Sequence, residues 1–312
     1  MPTYPNLLIH QLSLAGRIKT ERQFEAMAEK AASLGASGLE LLYDPSLLLP
    51  AKFIFKAMKK QGLTKATLCV ANLGDESGDP VIRRFRGPAL DLVYGGIDRA
   101  IELCDAGVEV GTIDGPFAFV LGKQDYPDDA IAGVVEFSKL CADRAETEGV
   151  RLALERLQES EDCVIRTAKR LAKVVNAVNS RAFGAHEDTF HAIKNGDSPW
   201  KTFSLLGRQV FHFHPNGIGR KRTVEGRIPC GCLNYKIGGV EYTDTTDWYA
   251  APSAMQDFGV DRKRILVCPE PFCRAAFKDM PPLENGVIGM RRLQDLRESI
   301  NNLAGAGVLV EN

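Results

Sequence analysis

The chain has 312 residues, with 39 basic and 40 acidic side chains, a formal net charge of −1 and 45% hydrophobic content. That near-neutral balance gives no electrostatic case for nucleic acid or an anionic membrane surface, and no apolar stretch approaches the ~20 residues of a transmembrane helix. The apolar fraction is ample for one large core, and single α/β barrels commonly reach this length.

In chain order, strand-like and helix-like segments alternate about eight times. Residues 6–13 read as a first strand, followed by an amphipathic helix over 20–34. Residues 37–42 read as a second strand, with a helix over 50–61. A third strand spans 65–72, ahead of a polar, Gly-rich loop (74–80) and a helix over 88–104. The fourth strand covers 108–114, and the next helix 128–148. Four short apolar runs then supply the remaining strands: Val150–Leu154, Ala182–Ala185, Val210–Phe213 and Ile265–Cys268. Helices are expected near 163–178, 199–206, 245–258 and 289–303.

Alternation of this kind implies right-handed βαβ units and a parallel sheet. Eight units favour a closed (β/α)8 TIM barrel, a single domain over residues 1–312, above an open doubly wound sheet. No G-x-G-x-x-G follows the first strand, which lowers the case for a dinucleotide-binding fold. The N-terminus, Met1–Asn6, lacks the basic region and apolar core of a signal peptide. The eight cysteines sit mostly singly in apolar contexts. Reduced, buried thiols and a cytoplasmic location are therefore the expectation.

Each of the last four strands ends at a metal-competent side chain: Glu155, Asp188, His214 and Glu270. In a closed parallel barrel, residues just past the strand ends point into one mouth. Two Glu, one Asp and one His converging there make an O/N-rich pocket for a divalent cation, which predicts an enzyme. Each residue also has a plainer reading. Glu155 could pair with an arginine, Asp188 could cap a helix, and one of His212 and His214, which alternation puts on one face, could be a satisfied core residue. Glu270 lies between Pro269 and Pro271, where a buried acid is costly unless paired or metal-bound.

One segment breaks the rhythm. Residues 215–244, rich in Gly and basic side chains, form a long loop inserted after the seventh strand and contain Cys230-Gly231-Cys232. A βα connection needs only a few residues, so this one is expected at the barrel mouth as a lid or pocket wall, or else as an exposed excursion or oligomer contact. Neither Cys230 nor Cys232 has a second Cys or His pair at zinc-ribbon spacing.

The segments Leu154–Glu161, Asp188–His191, His212–His214 followed by Arg220, and Glu270-Pro271-Phe272 resemble the motifs of ketose 3-epimerases. This is the D-tagatose 3-epimerase and D-psicose (allulose) 3-epimerase group of the xylose-isomerase-like barrels. The resemblance spans roughly 152–274 and implies one divalent ion, Mn²⁺ before Mg²⁺ or Co²⁺, with Glu155, Asp188, His214 and Glu270 as ligands. It further implies that Glu161, His191 and Arg220 hold the oxygens of a small keto-sugar. Glu155 and Glu270 would exchange the proton at C3 from opposite faces through a cis-enediolate. A homodimer or homotetramer is implied as well.

The chemistry suits these residue types. Inverting the carbon beside a ketone needs a base on one face and an acid on the other, with a cation to stabilise the enediolate charge. The chain departs from the group at Pro215–Gly219, where the epimerases carry a Gly-Glu segment, at Pro269, and in the length of the 215–244 excursion. A larger keto-sugar, a keto-glycoside or an inosose would suit a rebuilt mouth. A lyase or dehydratase, or an aldose–ketose isomerase, of the same barrel class would share the first proton abstraction. A phosphodiester-cleaving relative would need more metal-ligating side chains and a basic surface, against five His and no positive excess.

Overall fold

A computed structural model describes residues 3–14, 18–71, 86–117, 130–157, 164–221, 224–237, 240–270 and 290–311. Eight strands close into a parallel barrel. In chain order they are β1 (Tyr4–His10), β2 (Ala36–Leu42), β3 (Lys65–Ala71), β4 (Glu109–Phe117), β5 (Leu152–Glu155), β6 (Phe183–Asp188), β7 (Val210–His214) and, after four further strands, β12 (Leu266–Val267). Around the ring the order is β1-β12-β7-β6-β5-β4-β3-β2, so each strand lies beside its predecessor and β12 closes on β1 through Leu7 and Val267. The expected TIM barrel is therefore present. Among the described residues no helix is long and apolar enough to cross a membrane.

Local chemistry explains the element boundaries. The helix Glu21–Ser33 starts at a reciprocal capping box: Thr20 Oγ1 accepts from Gln23 N–H at 3.3 Å, and Gln23 Oε1 accepts from Thr20 N–H at 3.1 Å. The helix Ala168–Val178 starts at Thr167, whose side chain accepts from Arg170 N–H, and stops at Asn179 in the left-handed region. Helices also run over Ala51–Lys60, Arg86–Ala106, Ala130–Glu148, Lys201–Leu206, Ala250–Asp257 and Met290–Gly305, each overlapping its expected span. Two short helices, Gln11–Leu14 and Thr189–Lys194, were not anticipated.

The core lies between barrel and helices. Leu7, Ile9, Met27, Leu39, Ile97, Ile113, Leu152, Leu171 and Phe213 are all fully buried in it. Burying an aliphatic side chain of this size contributes about 1.5–3 kcal/mol. On β7, strand alternation sends Phe213 outward onto Phe203 (ring centroids 5.3 Å apart) and leaves His212 and His214 inside the barrel. Most barrels fill this space with branched aliphatics. Here Glu40, Asp114, His186 and His212 are buried in the interior instead.

The excursion after β7 is folded rather than irregular. Strands β8 (Gly217–Lys221), β9 (Val224–Ile228), β10 (Tyr235–Ile237) and β11 (Val240–Asp244) form an antiparallel sheet in the order β10-β11-β8-β9. Asp244 fastens it. Its Oδ1 accepts from the N–H groups of Ile218 and Thr246, both at 3.0 Å. Its Oδ2 accepts from Gly231 N–H at 2.7 Å and Trp248 Nε1–H at 2.6 Å. The sequence pattern concealed this sheet because its strands are short and broken by glycine and charge, which mask period-two alternation.

Candidate active site at the barrel mouth

Glu155 and Asp188 face the barrel interior because their neighbours face away. Arg156, fully buried behind the barrel, donates from Nη2 to Glu187 Oε1 at 2.9 Å and from Nε to Glu187 Oε2 at 3.3 Å. Its Nη1 donates to Asp197 Oδ2 at 2.7 Å, and that oxygen also accepts from Ala168 N–H at 2.9 Å. With residues 156 and 187 locked outward, period two turns 155 and 188 inward. The arginine next to Glu155 thus pairs with Glu187 and leaves Glu155 to the interior.

Asp188 is both a helix cap and an interior group. Its Oδ1 accepts from Phe190 N–H at 2.7 Å and His191 N–H at 3.3 Å, starting the helix Thr189–Lys194. Its Oδ2 accepts from Asn216 Nδ2–H at 3.0 Å and from Arg227 at 3.1 Å. Asn216 is in turn held by Thr189, whose hydroxyl accepts from Asn216 N–H at 2.7 Å and donates to its carbonyl at 2.9 Å.

The structure brings Glu155, Asp188, His214, Glu270 and His191 together. One donor atom each from Asp188, His214 and Glu270 lie within 4.8 Å of one another, as do donors from Glu155, Asp188 and His191. His214 Nδ1 is 3.2 Å from Glu270 Oε2 and 3.9 Å from Asp188 Oδ2. His191 Nε2 is 3.8 Å from both Glu155 Oε1 and Asp188 Oδ2. All five side chains are buried. Glu161 lies outside the described residues. Arg220 is placed on β8 opposite Glu225 and Thr243 by its backbone, and its side chain also lies outside the description.

Four participants were not anticipated. Arg227, on β9, reaches into the site. Its Nη1 donates to Glu270 Oε2 at 2.7 Å, and its Nη2 donates to Asp188 Oδ2 at 3.1 Å and to His191 Nε2 at 2.8 Å. The guanidinium also lies over the Phe190 ring, 4.8 Å from its centroid. Since an arginine only donates, His191 Nε2 is an acceptor there and carries its proton on Nδ1. Glu40, within β2, sits behind His214. Its Oε2 is 2.9 Å from His214 Nε2 and 3.0 Å from His212 Nε2. His10, at the end of β1, places Nδ1 3.1 Å from Glu270 Oε1. Asn216 is the fourth. His212 is the core histidine that alternation allowed, with Nε2 on Glu40 and Nδ1 without a hydrogen-bond partner among the described residues. Position at a strand end could have flagged His10, and a lone carboxylate inside an apolar strand could have flagged Glu40. Nothing local marks Arg227, whose partners lie 36 to 43 residues away.

The electrostatics separate the two glutamates. Burial, reinforced by Asp188 and Glu270, pushes the Glu155 carboxyl well above the usual range. Burial pushes Glu270 the same way, but the charges of His214 and His10, with Arg227 behind them, outweigh it and hold Glu270 low. The Arg227 charge likewise outweighs burial at Asp188 and holds it low. His214 is raised well above the ordinary imidazole range because Glu270 and Glu40 outweigh its desolvation. The two triads, Glu155–Asp188–His191 and Asp188–His214–Glu270, share Asp188 and form a hard, anionic donor set that fits a divalent cation. With all three carboxylates ionised, such an ion and Arg227 together balance their charge. Cys230 and Cys232 take no part: Cys230 Sγ donates to the Pro215 carbonyl at 3.2 Å, and among the described residues neither joins a group of metal-competent donors.

Comparisons agree with the barrel fold. A family model described as "Xylose isomerase-like TIM barrel" matches residues 28–244. No curated protein matches the chain by sequence. Among solved structures, D-allulose 3-epimerase from Methylomonas sp. in complex with D-allulose superposes with a TM-score of 0.72 at 15% identity, covering 98% of each chain. D-psicose 3-epimerase with D-tagatose from Clostridium cellulolyticum H10 gives 0.67 at 20% identity, covering 98% of this chain and 100% of that one. The IOLI protein with a binding zinc atom gives 0.65 at 16% identity, covering 97% and 96%. At these identities the likeness is one of fold.

Proposed function

The chain belongs to the xylose isomerase-like TIM-barrel family, and from that premise we propose that it is a divalent-metal-dependent sugar epimerase of the ketose 3-epimerase type. The observation that carries this reading is the pair of donor groups Asp188–His214–Glu270 and Glu155–Asp188–His191, joined through Asp188 at the barrel mouth. Glu155 and Glu270 end strands separated in the ring by β6 and β7, so the two carboxylates flank Asp188 and His214. The names of the structural neighbours, which act on ketoses at C3, point the same way.

In this reading Glu155, Asp188, His214 and Glu270 hold the ion, Mn²⁺ before Mg²⁺ or Co²⁺. When bound, it supplies Lewis-acid stabilisation of the negative charge that develops on the sugar's enediolate. Glu270, oriented by Arg227 and His10, removes the proton at C3 from one face, and Glu155 returns a proton from the other. The roles exchange for the reverse direction. His191 and Arg227 bind sugar oxygens beside the reacting carbons, with Glu161 and Arg220 in the same role. Burial of Glu155, Asp188, His191, His214 and Glu270 keeps bulk water from competing for the carbanionic centre. The substrate is a small keto-sugar, and the protein works as a cytoplasmic homodimer or homotetramer built from one barrel domain per chain, the 215–244 excursion included.

The test is NMR of the Mn²⁺-loaded protein with D-fructose, D-tagatose and D-psicose in D₂O. The expected result is deuterium at C3 together with the C3 epimer. A dehydrated product in place of the epimer would overturn the reading in favour of a lyase. Absence of exchange on every ketose, with the ion bound, would overturn it outright.

A further inference from the structure

Beneath the mouth, a second group of donors is sealed inside the barrel. Asp114 on β4, His186 on β6 and His212 and His214 on β7 each offer an atom within 4.8 Å of the others, and all are buried. Asp114, His186 and His212 show no exposed surface at all. His186 is the informative member. Neither of its ring nitrogens has a hydrogen-bond partner, a rare condition for a wholly buried imidazole. Instead its Nδ1 points toward Asp114 Oδ1 at 3.7 Å, and its ring packs edge-on against His212 and His214, with centroids 4.6 and 4.0 Å away. His212 Nε2 approaches the other Asp114 oxygen at 4.0 Å.

Three imidazoles around one carboxylate make little sense as an apolar core, because each unsatisfied buried polar atom costs about 1–3 kcal/mol. They make good sense around a cation. In a tetrahedral zinc site with bonds near 2.0–2.1 Å, neighbouring donor atoms stand about 3.3 Å apart. The measured 3.7 and 4.0 Å are within a small side-chain adjustment of that spacing. The geometry points to a second, deeper metal site in this barrel, formed by Asp114, His186 and His212 with His214 as the wall it shares with the mouth. Its nitrogen-rich donor set selects Zn²⁺, whereas the carboxylate-rich set above selects a harder ion. Glu40 closes the group on the β2 side, its Oε2 3.0 Å from His212 Nε2 and 2.9 Å from His214 Nε2. Being sealed, the ion is structural and does not meet substrate.

Metal content per chain, measured after loading with Zn²⁺ and Mn²⁺ and desalting, tests this on the wild type, Asp188→Asn, Asp114→Asn and His186→Gln. The expected result is two ions in the wild type and one retained zinc in Asp188→Asn. Zinc should be lost from both Asp114→Asn and His186→Gln, with the mouth ion kept. A wild type holding a single ion that Asp188→Asn removes, or lower variants with unchanged zinc, would overturn the deep site. If the lower variants fail to fold, Co²⁺ titration of the wild type decides: a four-coordinate, nitrogen-rich site gives intense visible bands, and their absence at saturation overturns the inference. Loss of zinc from the lower variants while Asp188→Asn changes nothing would sink the proposed function and leave the deep site standing.

Discussion

Glu155 and Glu270 differ in what surrounds them, and substitutions should expose that difference. Glu155→Gln and Glu270→Gln each remove one proton carrier without changing volume. Each is expected to slow C3 exchange by about 10²–10⁴-fold, the usual contribution of a positioned acid or base, with an unchanged far-ultraviolet circular dichroism spectrum. Full activity in both variants would end the two-carboxylate mechanism. Arg227 makes a separate case. Its guanidinium holds Glu270, Asp188 and His191 at once, so Arg227→Gln should lower kcat/KM by about tenfold or more. Part of the loss should appear in kcat, because Glu270 loses its orienting partner. A change confined to KM would reduce Arg227 to a substrate contact. The residue was invisible in the sequence because a side chain is assigned to a site by strand-end position, and Arg227 arrives from outside the barrel.

At the level of elements, two devices aim these side chains. The buried Arg156–Glu187 pair fixes the strand faces, and removing the Glu187 charge leaves the wholly buried guanidinium with Asp197 alone. Glu187→Gln should therefore cost about 3–5 kcal/mol, read as a lower denaturation midpoint in urea. A cost below about 1 kcal/mol would mean that the pair does not set the register. The second device is Asp244, which accepts four hydrogen bonds and ties the ends of the antiparallel sheet together. Asp244→Ala should loosen that sheet, cost roughly 2–3 kcal/mol and depress activity through Arg227. Combining Asp244→Ala with Arg227→Gln should lower activity no further than Arg227→Gln alone, since both act through one guanidinium. Additive losses would separate sheet from site.

For the molecule as a whole, the barrel was legible because its signals are local. Apolar runs such as Leu152–Leu154 and Ile265–Cys268, punctuated by amphipathic helices, give the parallel sheet, and the residue that ends each run gives the mouth. What stayed hidden was set by distance or by conflict with the usual pattern. The helix Thr189–Lys194 is too short to show a period. The sheet after β7 carries weak alternation. The polar interior built from Glu40, Asp114, His186 and His212 looks, in sequence, like isolated charges inside apolar strands. Three-dimensional closure makes those charges neighbours, and under the proposed function it also makes the fold depend on a cation. Glu155, Asp188 and Glu270 lie close enough to repel one another, with Arg227 offsetting one unit of charge. An ion bound only by the folded state stabilises it by about 2.7 kcal/mol at a concentration one hundred times its dissociation constant. Saturating Mn²⁺ should therefore raise the melting temperature by several degrees, and EDTA should lower it and abolish C3 exchange together. Restoring Mn²⁺ should recover both. A melting temperature indifferent to Mn²⁺, Mg²⁺ and Co²⁺, with full activity in EDTA, would show that Arg227 alone balances the carboxylates and that the barrel mouth takes no metal.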